Sequence, residues 1–484
     1  MDPLRNANSA FALLTGAIAL GLLLPLLAQQ GMFMDGMLYA VVAHNQANGI
    51  GTFWEPVFSV RGFAGLTTFH EHPPLTFGLQ ALWFRVFGDA FWVENLYCLV
   101  AAGSTALLIA RTWTAVVPPG HTARRLAWLP ILFWIVQPTV HWCFQNNMEE
   151  NTMGLFTTAA VLAVVSGTGR RWLALHLLAG VLVFLAIMSK GPPGLFPLAA
   201  PVLWWVATRQ GSFGRAMGGS ALMFLSVLVC LGSTLLLPGA LESLHTYADG
   251  RLLHRIAAQP TVHTRFRILL DLFNAVLGPL LLTLLLHFLL KHRSAHDPNV
   301  STLHRRAWGL ALIGLAGVVP LMLTLVQKSF YMSPALPIIA LALALFVAAP
   351  LASWMEGLSP SSPWVRIPRV LGIAGIVGAM LAAVLLFGKP SRDADMIADV
   401  QRIGTVVPER TLIGLDSDLW LTWNLQCYLM RRHYISCDEG ATEHAWYLSP
   451  QGGAAPAKDM SPAGPALSGY ILWNRPSSAF DRGQ

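Results

Sequence analysis

The sequence predicts an all-α polytopic membrane domain followed by a small α/β domain. Of the 484 residues, 55% are hydrophobic and 11% are charged, whereas about 25% of residues in soluble proteins are charged. Apolar runs of membrane-spanning length recur from residue 10 to residue 388. Charged residues, prolines and glycines return after that point. We therefore expect a membrane domain over residues 1–388 and a small extracytoplasmic domain over residues 389–484.

About eleven spans are predicted. We interpret the first as a signal anchor, because no small-x-small cleavage site follows it and many spans come after it. Leu75–Phe87 is too short to cross a bilayer and is predicted to be an amphipathic helix at the outer interface. The predicted spans are residues 11–27, 95–110, 126–140, 151–167, 172–188, 193–208, 216–237, 268–290, 307–326, 331–349 and 368–388.

Basic residues predict the orientation, because lysine and arginine concentrate in cytoplasmic loops. Alternate loops are basic and the others are acidic or mixed. With an odd number of spans, the N-terminus is then cytoplasmic and residues 389–484 are periplasmic, in a bacterial inner membrane. The net charge of +7 follows this loop bias and does not indicate nucleic-acid binding. The basic loops contain Arg5, Arg111, Arg124, Arg125, Arg170, Arg171, Arg209, Arg215, Lys291, Arg293, Arg305, Arg306, Arg366 and Arg369.

Ionisable residues collect on the predicted outer side, where they suggest function, because such groups are costly at membrane depth. The first outer loop, residues 29–94, contains Asp35 and the run His70-Glu71-His72-Pro73-Pro74. Later outer segments contain Glu149-Glu150, Lys190, the stretch 237–267 and Lys328.

Four elements in this order resemble the dolichyl-phosphate-mannose protein mannosyltransferases and their bacterial relatives, which include the lipid A aminoarabinose transferases and share the GT-C membrane fold. Family members have an acidic residue soon after the first span, then a Lys/His-Pro-Pro-Leu element, a Lys-Gly-Pro element and a Lys-x-x-Tyr…Pro-x-x-Pro segment. The matching residues are Asp35 with Tyr39-Ala40, Glu71-His72-Pro73-Pro74-Leu75, Lys190-Gly191-Pro192, and Lys328 and Tyr331 with Pro334 and Pro337.

The resemblance implies inverting transfer of a sugar from a polyprenyl-phosphate donor to a lipid A, polysaccharide or protein acceptor. Asp35 would be the catalytic base, and Glu71 and Glu150 would be further catalytic carboxylates. Glu150, beside Glu149, stands where the family usually has a second aspartate. The side chains expected to bind the donor phosphate are Lys328, Tyr331, Arg255, Arg251, His72 and Lys190.

Structural alternatives remain open for several of these residues. Asp35 could cap a helix, and Lys328 could reach the lipid headgroups without binding a donor. Arg251 and Arg255 could lie on one face of an ordinary interfacial helix. His70 and Glu71 could bind Zn²⁺ or Mn²⁺, or Glu71 could instead position the acceptor or pair with an arginine. No other cofactor is expected.

The C-terminal domain is predicted to contain helices over Asp393–Val407 and Leu419–Arg432, with strands over Thr411–Leu415, Ala445–Leu448 and Tyr470–Trp473. Residues 451–465 are predicted to be a loop. A supporting or acceptor-docking role is expected, because no catalytic motif is evident there. Cys427 and Cys437 could form a disulfide in an oxidising compartment.

Two other functions compete with glycosyl transfer. A lipid-linked sugar flippase would be expected to show internal repeats and mid-membrane charges, and neither is evident. A polysaccharide polymerase or ligase would place its large functional loop late in the chain, whereas here the first outer loop is the richest in ionisable residues. The sequence determines neither the sugar nor the acceptor.

Overall fold

The computed structural model describes residues 3–62, 67–253, 260–294 and 297–475. These residues are mostly α-helical, which confirms the predicted fold class. The chain forms two compact units. The membrane unit comprises residues 1–28 and 96–387, and the α/β unit comprises residues 29–95 and 388–484.

Long apolar helices make up most of the membrane segment. Its α-helices are Pro3–Leu27, Val93–Val116, Trp128–Ile135, Pro138–Gln145, Glu150–Ser166, Trp172–Lys190, Ala200–Thr208, Phe213–Leu235, Ala240–Tyr247, Arg267–Leu290, Val300–Val318, Leu336–Phe346, Ala348–Glu356 and Pro363–Leu386. Short 3₁₀ turns occur at Thr122–Arg125, Gly169–Arg171, Pro192–Ala199, Lys291–Ser294, Val319–Leu323 and Ser329–Ala335, and a π-helical turn occurs at Ala248–Leu253.

Within the described ranges, eight helices are long and apolar enough to cross a membrane. The other three predicted spans coincide with shorter or interrupted helices. Glu150–Ser166 has 17 residues, and residues 126–140 overlap two short helices, the second of which begins at Pro138. The eight are Asn6–Leu27, Val93–Val116, Gly169–Lys190, Phe213–Leu235, Arg267–Arg293, Val300–Leu323, Ser329–Phe346 and Pro363–Leu386.

The first and last spans of the membrane unit pack closely against each other. A Cβ atom at Gly372 would lie 2.8 Å from the backbone nitrogen of Leu14 and 2.9 Å from the carbonyl carbon of Leu13. Small residues permit this approach, and close packing is a main source of helix association within a bilayer. The first and last spans therefore pack in close contact at Gly372.

The α/β unit contains a five-stranded sheet. Its strands are β1 Leu412–Leu415, β2 Ser436–Glu439, β3 Trp446–Pro450, β4 Ser461–Pro462 and β5 Tyr470–Asn474. They lie in the order β2-β1-β3-β5-β4. β1 pairs in parallel with β2 and β3, whereas β5 pairs antiparallel with β3 and β4. The unit's α-helices are Met34–Ala47, Leu75–Phe87, Ala394–Ile403 and Trp423–His433, with a 3₁₀ turn at Ser417–Leu419.

One hydrophobic core joins the two chain segments of this unit. Val41 and Phe77 come from the helices of residues 29–95, and they share a buried cluster with Ile413 of β1 and Tyr428 of the Trp423–His433 helix. Burial of such side chains contributes roughly 1.5–3 kcal/mol each relative to exposure. The first outer loop is thus folded together with the C-terminal residues.

Most elements predicted for the C-terminal residues are present, with three corrections. Trp423–His433 begins four residues later than predicted, after the 3₁₀ turn Ser417–Leu419. β2 was not predicted, and β4 lies within the stretch 451–465 that was predicted to be a loop. Cys427 and Cys437 are both buried and free, so the structure contains no disulfide between them.

Candidate active site

Asp35 lies in the first turn of the Met34–Ala47 helix. Phe33 occupies the N-cap position, so the alternative that Asp35 caps this helix is wrong. The unpaired N–H groups and the positive dipole end at this terminus suit a carboxylate. Burial, followed by the negative charge of Asp35, raises the pKa of the Cys427 thiol. That effect places the carboxylate near the core of the α/β unit.

The Tyr39 hydroxyl lies 3.3 Å from Nε2 of His72, and the two rings meet edge to face with their centroids 5.6 Å apart. Tyr39 follows Asp35 by four residues in the helix, which places both side chains on one helical face. The loop segment His70-Glu71-His72 is buried throughout, with relative exposures of 5%, 8% and 5%. This helical face therefore carries a carboxylate and a phenol, and the phenol contacts the buried imidazole of His72 in the loop.

A second polar cluster lies inside the membrane unit. Nζ of Lys190 is 3.0 Å from Oε1 of Glu150 and 3.4 Å from Oε2 of Glu149. All three side chains are buried. Lys190 ends the Trp172–Lys190 helix and the glutamates stand at the start of Glu150–Ser166, so the cluster forms where two helix ends meet.

Aromatic rings border this cluster. The Lys190 ammonium lies 5.9 Å from the ring centroid of Tyr331 and 6.0 Å from that of Phe330. Phe330 in turn stacks on Trp142 at 5.7 Å. The face of an aromatic ring attracts a cation. Tyr331 therefore belongs to the Lys190 cluster, and Phe330 and Trp142 are neighbours that sequence reasoning did not select.

Lys328 is exposed, in contrast to Lys190. The residue before it, Gln327, is buried and anchors the segment by donating to the carbonyl oxygens of Arg265, Leu321 and Thr324. Oε1 of Gln327 accepts a hydrogen bond from the N–H of Ile268. Lys328 is thus an exposed cation next to a residue whose side chain is fixed by four hydrogen bonds to the backbone.

The remaining cationic candidates cannot be placed. Arg255 and His254 lie outside the described residues, and the side chain of Arg251 also lies outside them. Nearby, His245 and Asp249 form an exposed pair at 3.3 Å. The predicted role of Arg251 and Arg255 in binding the donor phosphate stays a prediction.

Among the described residues, the side chains grouped closely enough to hold a metal ion are Asp438, Glu443 and His444. Oδ2 of Asp438 already accepts hydrogen bonds from Arg61 at 2.6 Å and His444 at 2.9 Å, so a metal would compete with a guanidinium. His70 and Glu71 are not part of this group, and the metal site predicted there stays a prediction.

Apart from the exposed Lys328, the predicted site residues whose side chains the structure describes fall into two sets. Glu150, Lys190 and Tyr331 meet in the membrane unit, whereas Asp35, Glu71 and His72 belong to the α/β unit. Sequence reasoning missed a third polar group, which contains His44, Glu94 and Arg431. The run Arg431-Arg432-His433 was its visible signal, because the other runs of three basic residues, 291–293 and 304–306, lie in the predicted cytoplasmic loops and this run does not.

The fold closely matches that of a solved membrane transferase. ArnT from Cupriavidus metallidurans bound to undecaprenyl phosphate superimposes with a TM-score of 0.67 over 96% of this chain and 98% of that chain, at 13% sequence identity. Its apo form gives a TM-score of 0.63 at 14% identity, with the same coverage. The chain has the GT-C fold.

A more distant GT-C structure extends the comparison. The apo oligosaccharyltransferase of Archaeoglobus fulgidus gives a TM-score of 0.51 at 11% identity, covering 91% of this chain and 69% of that chain. No family model matches the sequence, and no curated protein matches it either. The GT-C relationship is therefore visible in the fold at very low sequence identity.

Proposed function

We propose that this GT-C protein is a glycosyltransferase that moves a sugar from a polyprenyl-phosphate donor to a lipid A, polysaccharide or protein acceptor. The observation that carries the proposal is the end-to-end fold correspondence with ArnT, whose solved complex contains undecaprenyl phosphate. Asp35, near the start of the first long helix after the first span, supplies a carboxylate suited to general-base catalysis.

The proposed reaction is a single displacement with inversion. The carboxylate of Asp35 takes the proton of the acceptor hydroxyl while its oxygen forms a bond to C1 of the sugar. The bond between C1 and the phosphate oxygen breaks, and its electron pair leaves with the polyprenyl phosphate. Positioning of the two reactants supplies much of the rate enhancement.

Lys328 and Lys190 are suited to different tasks. Lys328 is exposed and has no carboxylate partner within 4 Å in the described ranges, so its ammonium is available to a phosphate. The charge of Lys190 is already balanced by Glu149 and Glu150. We therefore assign phosphate binding to Lys328 and a structural, charge-balancing role to Lys190.

The transfer assay uses the full chain, reconstituted with a panel of undecaprenyl-phosphate hexoses and pentoses and with lipid A, polysaccharide and peptide acceptors. Mass spectrometry would detect the sugar gained by the acceptor. Asp35→Asn should lower the rate by about 100-fold or more, since general-base catalysis contributes about 10²–10⁴-fold.

Asp395→Asn is the matched control, because Asp395 is also in the first turn of a helix in the α/β unit. Both substitutions remove a charge–dipole interaction of about 0.3–1 kcal/mol, but only Asp35 is proposed to touch the acceptor. Equal rates in the two variants would contradict the role of Asp35. Movement of intact donor across sealed vesicles, without sugar transfer, would instead support a flippase.

The proposed orientation has its own test. Lys458 is exposed in the α/β unit and Arg293 is exposed in a basic loop. In intact spheroplasts, a membrane-impermeant maleimide should label Lys458→Cys and should not label Arg293→Cys. The reverse pattern would place the loop around Asp35 in the cytoplasm and overturn the proposed periplasmic reaction.

A further inference from the structure

The α/β unit contains a polar cavity of about 370 Å³. We call it the Arg432 pocket, and the residues that matter for its chemistry are Gln30, His44, Asp89, Glu409, Arg431, Arg432 and Tyr434. A volume in this range fits a small ligand of the size of one sugar unit. None of these residues belongs to the sets proposed above for catalysis or phosphate binding.

Two charged side chains at the pocket, Arg431 and Glu94, pair with each other. Nη2 of Arg431 donates to Oε2 of Glu94 at 3.0 Å, and both side chains are buried. Arg431 also donates to the carbonyl oxygens of Asp89 and Ala90. This pair neutralises itself and fixes one wall of the cavity.

Arg432 is the cation that remains. It is half-buried, and its hydrogen-bond partner among the described residues is the neutral Oε1 of Gln30, at 2.7 Å from Nη2. No carboxylate of the described part of the chain lies within 4 Å of its guanidinium. A partly desolvated guanidinium presents a planar fork of donors that matches a carboxylate or a phosphate. An anionic group is the natural partner for this side chain.

His44 is a neutral residue in the wall of the pocket, with 1% of its side chain exposed. Burial, followed by the positive charge of Arg431, lowers the pKa of the His44 imidazole to about 4, so the ring is neutral at pH 7. Nε2 donates to Oδ1 of Asp89 at 2.8 Å, which leaves Nδ1 without a proton. This Nδ1 is buried and has no hydrogen-bond partner among the described residues.

The aromatic ring of Tyr434 stacks on His44, with their centroids 5.2 Å apart. The pocket therefore combines a guanidinium with no carboxylate within 4 Å in the described part of the chain, the carboxylates Asp89 and Glu409, and an aromatic face. A hydroxyl-rich ring that carries an acid uses all of these groups, because its hydroxyl groups can donate to Asp89 and Glu409 while its acid meets Arg432.

We infer that the Arg432 pocket binds a sugar unit that carries one acidic group, a carboxylate or a phosphate. Arg432 holds the acid, and Asp89 and Glu409 accept hydrogen bonds from the hydroxyl groups. The further assignment of this sugar to the acceptor glycan rests on the proposed transferase function, whereas the binding itself does not.

Isothermal titration calorimetry of the detergent-purified full chain, without donor, tests the inference. The probes are glucuronic acid, glucose 1-phosphate, glucose and inorganic phosphate. One of the two acidic sugars should bind about tenfold or more tighter than glucose and than inorganic phosphate, which corresponds to about 1.4 kcal/mol or more. The comparison between the acidic sugars identifies whether the acid is a carboxylate or a phosphate.

Arg432→Gln should remove this preference and leave the weak binding of glucose unchanged. Arg61→Gln is the matched control, because Arg61 is an arginine of the same unit that pairs with Asp438 and does not line the pocket. Thermal unfolding of all three proteins checks that they are folded. The inference is overturned if Arg432→Gln binds the acidic sugar as tightly as the wild type, if glucose binds equally well, or if no acidic sugar binds.

This assay and the transfer assay fail independently. A chain that binds the acidic sugar but transfers nothing would overturn the proposed function and keep the pocket. A chain that transfers sugar but binds no acidic sugar in the absence of donor would keep the proposed function and overturn the inference about the pocket.

Discussion

Lys190 and Glu150 form a buried ion pair with a separation of 3.0 Å between Nζ and Oε1. Glu149 contacts the same ammonium at 3.4 Å. One cation therefore faces two carboxylates in a site with almost no access to water. Removing one partner of a buried ion pair leaves an uncompensated charge, which is far more costly than loss of an exposed pair.

Lys190→Met should therefore destabilise the protein strongly. It leaves two buried carboxylates without their cation, and breaking a buried pair in this way costs about 3–5 kcal/mol. Thermal unfolding in detergent measures the effect. Adding Glu150→Gln should recover part of the loss, because it removes one of the stranded charges.

Lys291→Met is the control for this substitution, since Lys291 is exposed and its ammonium lies 5.7 Å from the ring centroid of Phe288. We expect little change in its unfolding temperature. If Lys190→Met unfolded at the same temperature as Lys291→Met, the ion pair would not be stabilising the helix ends.

Gly191→Ala should disturb the position of Lys190 next to it. Gly191 has a φ of 106°, and an added Cβ would overlap the hydroxyl of Tyr247. Backbone strain of this kind costs about 1–3 kcal/mol, and the overlap adds to it. Thermal unfolding should show the loss, and Tyr247→Phe in the same chain should recover part of it by removing the overlapping oxygen.

Gly211→Ala separates the two contributions. Gly211 has a φ of 76°, but no atom lies within 4 Å of an added Cβ. It should therefore show the backbone strain alone and a smaller decrease in unfolding temperature. An equal decrease in both variants would mean that the contact with Tyr247 does not constrain the turn after Lys190.

Arg431→Met should destabilise the α/β unit. It leaves Glu94 buried without its cation and also removes two hydrogen bonds to backbone carbonyl groups. The expected loss in free energy of unfolding is about 3–5 kcal/mol. Arg61→Met removes an exposed pair with Asp438 and should cost about 1 kcal/mol or less. If chemical denaturation showed similar losses of unfolding free energy in Arg431→Met and Arg61→Met, the result would argue against a buried Arg431–Glu94 pair.

Stability of the α/β unit should fall at mildly acidic pH because of His44. Its pKa is lowered from 6.5 to about 4 by burial and by the charge of Arg431, so the unfolded chain takes up a proton on this ring before the folded chain does. The contribution of His44 to stability is then constant above about pH 6.5 and decreases by up to about 3 kcal/mol as the pH falls to about 4. The pKa of His433 in the same unit is also lowered by burial, so it adds to the loss in the same direction. Chemical denaturation at a series of pH values measures this slope.

His44→Gln should flatten the slope, because glutamine can still donate to Asp89 but does not titrate. His245→Gln should leave it unchanged, since His245 is exposed. The pKa of Asp89 is lowered despite partial burial by hydrogen bonds from Asn48 and His44, and its contribution is lost only below about pH 3.8, outside this window. An unchanged slope in His44→Gln would assign the acid sensitivity to other groups.

Local patterns predicted much of the secondary structure. Leu75–Phe87 was predicted with its observed bounds, because a short apolar run between Pro74 and Gly88 has clear helix boundaries. β1 and β5 were also predicted, since short apolar runs flanked by polar residues are typical of buried strands. β4 was not predicted, because two residues that include a proline form a strand only at a sheet edge, where the missing N–H is tolerated.

The candidate site was less accessible to sequence reasoning. The sequence identified Asp35, Glu150 and Lys190 individually, but the contact between Glu150 and Lys190 depends on how two helix ends meet. Glu94 and Arg431 are 337 positions apart, and no local pattern links them. His44 lies in the last turn of a helix, and neither its burial nor its bond to Asp89 is visible in its neighbours along the chain.

The sequence by itself determined the polytopic helical class and eight of the predicted spans, because a bilayer requires long apolar helices whose backbone hydrogen bonds are local. The GT-C fold was implied by the order of its motifs, through their resemblance to a known family. Only the tertiary structure decided which polar side chains meet. It joined residues 29–95 to residues 388–484 and gave Lys190 its two glutamates and Glu94 its arginine. Such pairs form through contacts between distant parts of the chain, and their free energies depend on burial that exists only after those parts have packed together.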